Sequence, residues 1–219
     1  MIKLLNRNKG LWLLTGAIVF LSFALSTILY DRLPDPVPTH WGLSGRANGF
    51  MPKPWGAYVL ALAMTSVLLI LALVPALSPK GFRINVESSA YRWTVASVAF
   101  LVFAVQTLAL GAALGTLAMD PARPVLLCGI FLMVLGNFLP VVRRNFYIGI
   151  RTPWTLADEE VWVRTHRWGG RVFVAGGVVT VMLSALGAPA PVAIAAFIAA
   201  CVAPYLYSFL SYRSLHPRR

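Results

Sequence analysis

Apolar residues gather in six long runs, at residues 11–30, 55–77, 93–119, 125–142, 172–187 and 192–212. About 20 helical residues cross a hydrocarbon core of about 30 Å. No charged residue falls inside any run. The pattern predicts an all-α integral membrane bundle of six transmembrane helices. The third run is the longest and is expected to tilt or to extend past the bilayer. The first follows a basic start, as a signal peptide would. It is too long for one and shows no clear cleavage site, so it is expected to be an uncleaved span.

The polar segments between the runs differ in kind. Residues 31–54 hold five prolines, Pro34, Pro36, Pro38, Pro52 and Pro54, which exclude a regular helix at the segment's ends. Gly42, Gly45 and Gly49 supply turns, and Asn48-Gly49 is a strong turn signal. A stiff cap is expected, with Trp41 and Phe50 as its apolar surface. Pro38, His40, Trp41, Gly45, Asn48, Gly49 and Lys53 form the candidate recognition surface on it. His40 near Asp31 and Asp35 raises a metal site, but the ligand set is thin and no spacing motif supports it, so no metal is assigned. Residues 78–92 carry three basic residues, with Ser88-Ser89 placed to cap the third span.

The longest polar stretch is 145–171, NFYIGIRTPWTLADEEVWVRTHRWGGR. Its first part reads as a turn, because Gly149 permits unusual torsions and Pro153 pushes Thr152 out of the helical region. Thr155 to Asp158 reads as a capping box that opens an amphipathic cytoplasmic helix over 156–168, between spans four and five. Asp158, Glu159 and Glu160 suit its N-terminal dipole, and Gly169-Gly170 should end it. Glu160 and Arg164 make an i, i+4 pair, while Glu159, Trp162, Val163 and His166 share a face. Glu159 and His166 lie about 10 Å apart along the axis, too far to hold one metal. The stretch contains no nucleophile motif, HExxH or phosphate loop, so no catalytic residue and no cofactor is assigned. Its candidate partner-binding or structural residues are Asn145, Gly149, Arg151, Thr152, Pro153, Trp154, Thr155, Glu159, Glu160, Trp162, His166, Arg167, Gly169 and Gly170.

Charge sets the orientation. The chain has 219 residues, is 58% hydrophobic and has a net charge of +12. A soluble protein with that charge would point to nucleic acid, but here the positive-inside bias explains it and no direct nucleic-acid contact is expected. With the N-terminus inside, 15 basic residues fall on the inner side and 4 outside, counting Lys3, Arg7, Arg218 and Arg219 as inner. Both termini are therefore expected in the cytoplasm, and lipid is the first partner. Gln106 and Asn137 are mild polar groups within the spans. The lack of ionisable groups there argues against a transporter, and an inner-face polar site is the enzymatic alternative. Cys128 and Cys201 lie in apolar runs and read as packed hydrophobes.

The segment from Asn145 through Ile148, Gly149, Ile150, Arg151, Thr152, Pro153, Trp154, Thr155 and Leu156 to Glu159, Val161, Trp162, Thr165, His166, Arg167, Gly169 and Gly170 resembles the signature of the SdpI family of bacterial multi-pass membrane proteins. The outer segment from Pro38, His40 and Trp41 through Gly45, Asn48, Gly49 and Phe50 to Pro52 and Lys53 is similar to the N-terminal domain of unknown function often found beside it. Asn48 stands where that domain commonly has Asp. The two motifs cover about a quarter of the chain. The resemblance implies immunity and signalling in a bacterial cell membrane: an outer face that meets a secreted peptide toxin and an inner face that meets a transcriptional regulator. The chain is accordingly divided into residues 1–92, with two spans and the outer loop, and 93–219, a four-span SdpI-like region with the cytoplasmic unit 143–171.

Overall fold

The computed structural model describes residues 8–217. Lys3, Arg7, Arg218 and Arg219, which entered the charge count, lie outside the described residues. Six helices are long and apolar enough to cross a membrane. They are α1 (Lys9–Leu29), α2 (Lys53–Leu77), α3 (Ser89–Ala113), α4 (Ala122–Phe138), α6 (Glu159–Ala185) and α7 (Ala190–Leu215). A five-residue helix, α5 (Pro153–Ala157), stands just before α6. Large apolar side chains such as Leu13, Phe20, Ile28 and Leu210 face outward on these helices, as a lipid solvent allows.

Three buried clusters hold the bundle. One of them, Leu33, Val37, Ala57 and Leu110, seats the outer segment on α2 and α3, and the other two lie among the helices. Ile18 of α1, Met64 and Leu68 of α2, and Tyr91, Val95 and Ala99 of α3 form one buried cluster. Leu132 of α4, Phe173 of α6 and Ala200 of α7 form the other, joined by Leu139 and Ile150. Gln106 of α3 is buried against α1. Its amide nitrogen donates to the Ser22 carbonyl at 2.9 Å and to Ser26 Oγ at 3.0 Å, and its oxygen accepts from Ser22 Oγ. Ser26 Oγ in turn donates to the Ala57 carbonyl of α2. A buried amide in an apolar span needs such partners, and here they tie three helices together. Asn137 makes no such tie: its Nδ2 donates to the Met133 carbonyl of its own helix.

Three sequence expectations change. The outer segment is a two-stranded antiparallel hairpin, β1 (Val37–Trp41) and β2 (Ala47–Met51). Its reversal falls at Gly42–Gly45, where Gly45 takes φ +74° and donates to the Gly42 carbonyl. Asn48-Gly49 lies within β2, because Gly49 pairs with His40 and a Cβ there would sit 2.8 Å from the His40 Cβ. The third span stops at Ala113 instead of Met119. Gly115 takes φ +70°, and the amides of Thr116 and Leu117 return to the Gly111 carbonyl, which ends the helix.

The cytoplasmic helix expected over 156–168 is not separate. Asp158 is extended and caps α6, accepting from the Val161 amide at 3.0 Å. From there α6 runs unbroken through Gly169-Gly170 into the fifth span. The capping box falls three residues earlier, between Thr152 and Thr155 at the start of α5. Ser88 does cap α3, as its sequence position suggested.

Candidate functional site

The signature stretch folds into a loop clasped between α4, α6 and α7, and most of its polar groups serve that clasp. Asn145 is buried and organises the loop. Its Nδ2 donates to the carbonyls of Arg143 and Ile148, and its Oδ1 accepts from the amides of Tyr147 and Ile148. Aspartate could accept there but could not donate. Gly149 then takes φ +115°, and a Cβ at that position would lie 2.4 Å from His166 Nε2. The chain can approach the imidazole only without a side chain.

His166 is fully buried. Its Nε2 accepts the Ile150 amide at 3.0 Å, which assigns the proton to Nδ1, and Nδ1 donates to the Trp162 carbonyl at 2.8 Å. The ring lies against Trp162 with centroids 3.9 Å apart. Trp162 is itself buried, and its Nε1 donates to the Val142 carbonyl. The pair therefore holds both ends of the loop, Val142 and Ile150, against α6.

Arg151 closes the turn by donating to the Phe146 carbonyl. Thr152 and Thr155 exchange capping bonds, Thr155 Oγ1 also donates to the Ile150 carbonyl, and Ser208 of α7 reaches Thr152 Oγ1 at 3.0 Å. Pro153 occupies the first turn of α5, where its missing N–H costs nothing. Trp154 packs on Phe209 of α7. Glu159 pairs with Arg144 at 2.9 Å and Glu160 with Arg164. Glu159 and His166 do not converge: one is an exposed ion-pair partner, the other an interior ring.

Gly169 and Gly170 face different helices. A Cβ on Gly169 would meet Ile150 and Pro204, and one on Gly170 would meet the Gly136 carbonyl at 2.7 Å. Arg167 projects outward and, among the described residues, makes no ion pair. Ser208, Phe209, Pro204, Pro140 and Gly136 complete the unit, yet none stood out in the sequence. Each is a small, ring-shaped or single polar residue inside an apolar run, a pattern too common to signal a site.

Asp158 joins the unit to the C-terminal end of α7, where His216 Nε2 lies 2.9 Å from its carboxylate. The Val161 amide and the His216 contact hold the Asp158 carboxyl below its usual range. That lowered value favours the folded state above the ordinary carboxylate pKa, and the gain is lost as pH falls through the folded one. Asp158→Asn keeps an oxygen for the Val161 amide but no charge. Its unfolding midpoint should therefore lose less than wild type as pH drops below about 4, the ordinary carboxylate range. Parallel acid-side profiles for the two proteins would rule this out.

The opposite face carries the hairpin. His40 Nδ1 lies 2.6 Å from Asn48 Oδ1, which pairs the two strands on the exposed side. The Asp35 carboxylate accepts the Lys53 amide, and the Lys53 ammonium sits 5.0 Å from the centre of the Tyr30 ring. Gly45 backs directly onto the Met119 carbonyl. Beneath the hairpin lie two adjoining cavities of about 310 and 280 Å³. Both include Thr39, Leu60 and Ala109. The first is rimmed by His40 and Trp41, and the second reaches Gln106 and Pro38. Their walls are otherwise mainly apolar.

A six-span helical bundle with a hairpin on one face and a clasped loop on the other defines a multi-pass membrane protein. Residues 141–208 match the SdpI/YfhL protein family, and residues 17–65 match a domain of unknown function, DUF1648. The chain is 29% identical over 167 residues to the immunity protein SdpI of Bacillus subtilis (strain 168), covering 76% of this chain and 78% of that relative. No solved structure matches it.

Proposed function

We propose that this chain is a toxin-immunity protein of the bacterial cell membrane, with both termini cytoplasmic, and that a secreted peptide engages the hairpin and the cavities beneath it. The observation that carries the reading is the similarity to an immunity protein across most of both chains. The cavities add a place for it: Trp41 and His40 rim an apolar chamber that would take the side chains of an amphipathic peptide. The clasped loop is then the inner face. Arg164, Arg167 and Arg171 stand exposed along one side of α6 and form a basic stripe for an acidic surface on a transcriptional regulator.

Expression in a toxin-sensitive strain tests the reading. Survival under a toxin of the SdpI-relative's class should rise with the wild-type chain. Trp41→Ala should weaken the peptide contact by about tenfold or more, as loss of a buried aromatic anchor does. It should reduce protection at unchanged protein level in the membrane. Equal killing with and without the wild-type chain would reject the immunity reading.

A further inference from the structure

A smaller cavity lies at the loop end of the bundle, between residues 78–88 and 141–148. Its volume is about 50 Å³. Arg83 and Arg143 line it from opposite segments, together with Ser88, Tyr91, Asn145 and Ile148. Among the described residues neither arginine makes an ion pair or a side-chain hydrogen bond. The neighbouring Arg144 shows the contrast. It pairs with Glu159, donates to the Leu156 carbonyl and lies over the Phe82 ring.

The backbone that carries Arg143 is fixed, since its carbonyl accepts from the buried Asn145 amide. Among the described residues, no carboxylate lines the cavity. Ala90, at the start of α3, also lines the cavity and adds the favourable end of a helix dipole. Two exposed arginines that border one cavity, with no counter-charge among its lining, suit an anion. The planar fork of arginine suits phosphate oxygens in particular. The cavity is large enough for a small anion such as a single phosphate group, since about 10–15 Å³ of such space already holds one water.

We propose that Arg83 and Arg143 hold a single phosphate group in this cavity, supplied by an anionic lipid headgroup or by free phosphate. This assignment is independent of toxin immunity. Seating a lipid phosphate here would tie the 78–88 loop to the signature loop at the membrane surface, where polybasic sites attract anionic lipid.

The test uses the full chain in an uncharged maltoside detergent. Its thermal unfolding is followed with inorganic phosphate against chloride at equal ionic strength, and with phosphatidylglycerol against an uncharged glycolipid. A stabilising shift with both phosphate sources assigns a site open to free phosphate. A shift with phosphatidylglycerol alone assigns a site filled from the bilayer. In Arg83→Gln and Arg143→Gln the apparent affinity should fall about tenfold, one charge-assisted contact being lost. Arg213→Gln, an exposed cation outside the cavity, should match wild type. Absence of any shift in the wild-type protein overturns the proposal without reference to the variants. So does an equal shift in all three variants.

Discussion

Replacing Gly170 by valine should unfold the cluster of α4, α6 and α7 at a much lower denaturant or temperature, with a loss of about 3 kcal/mol from overpacking. The reason is the approach of α4 to α6. A Cβ at Gly170 would lie 2.7 Å from the Gly136 carbonyl and 3.0 Å from the Pro140 ring, and a Cβ at Gly136 would lie 2.7 Å from the Gly170 carbonyl. These neighbours are backbone or proline, which cannot rotate away. Seven residues along each helix the contact repeats, with a Cβ at Gly177 2.6 Å from the Gly129 carbonyl. Two rungs at that spacing fix the register of an antiparallel helix pair. In a bilayer such close contact supplies the association that the hydrophobic effect supplies in water. Gly16→Ala is the control: a Cβ there meets nothing within 4 Å, so the substitution should be neutral or mildly stabilising. Reversible unfolding in mixed micelles reads both, and a Gly170→Val protein as stable as wild type would refute the glycine ladder.

His166→Leu should rank next, at about 2–4 kcal/mol. The Ile150 amide would lose its acceptor in a buried setting, and the ring contact with Trp162 would go too. The damage should be local in kind. With the acceptor gone, no hydrogen bond from α6 would hold the Ile150 amide, and the turn from Asn145 to Thr152 should open. Protease cleavage or hydrogen exchange confined to that turn is the expected signature. His166→Gln should recover part of the loss, since its amide oxygen can accept at a similar reach. Unchanged protection of the turn in His166→Leu would show that the imidazole does not clasp it.

Both results bear on how the signature stretch was readable. Its residue types were informative, but their roles depended on partners far away in the chain. Gly169-Gly170 looks like a helix stop because glycine commonly ends helices. Here the same glycines let α6 pass Pro204 on one side and Gly136 on the other. No local rule distinguishes the two uses, since the deciding atoms belong to α4 and α7. The acidic first turn also misled by one step. Asp158 is the cap of α6, and the box belongs to Thr152 and Thr155. His166 stood near Glu159 in the helical pattern, yet burial separates them: Glu159 turns to Arg144, and His166 turns inward to Ile150.

The outer loop illustrates the same limit. Proline and glycine content excluded a helix over the hairpin but not at the segment's end, where Pro54 sits in the first turn of α2. The turn signal at Asn48-Gly49 lost to Gly45, whose positive φ and contact with Met119 place the reversal four residues earlier. Long-range seating of the hairpin on the 114–121 connection outweighed local turn preference.

The sequence by itself determined the six crossing helices and the absence of charge within the apolar runs. It did so because bilayer thickness imposes a length and composition that any single span must satisfy alone. Only the tertiary structure decided that α6 is one helix from Glu159 to Ala185, that its paired glycines serve two neighbours, and that the polar signature clasps a loop. Those outcomes depend on close contacts between helices distant in sequence, where a few tenths of an ångström decide whether a residue ends a helix or lets it through.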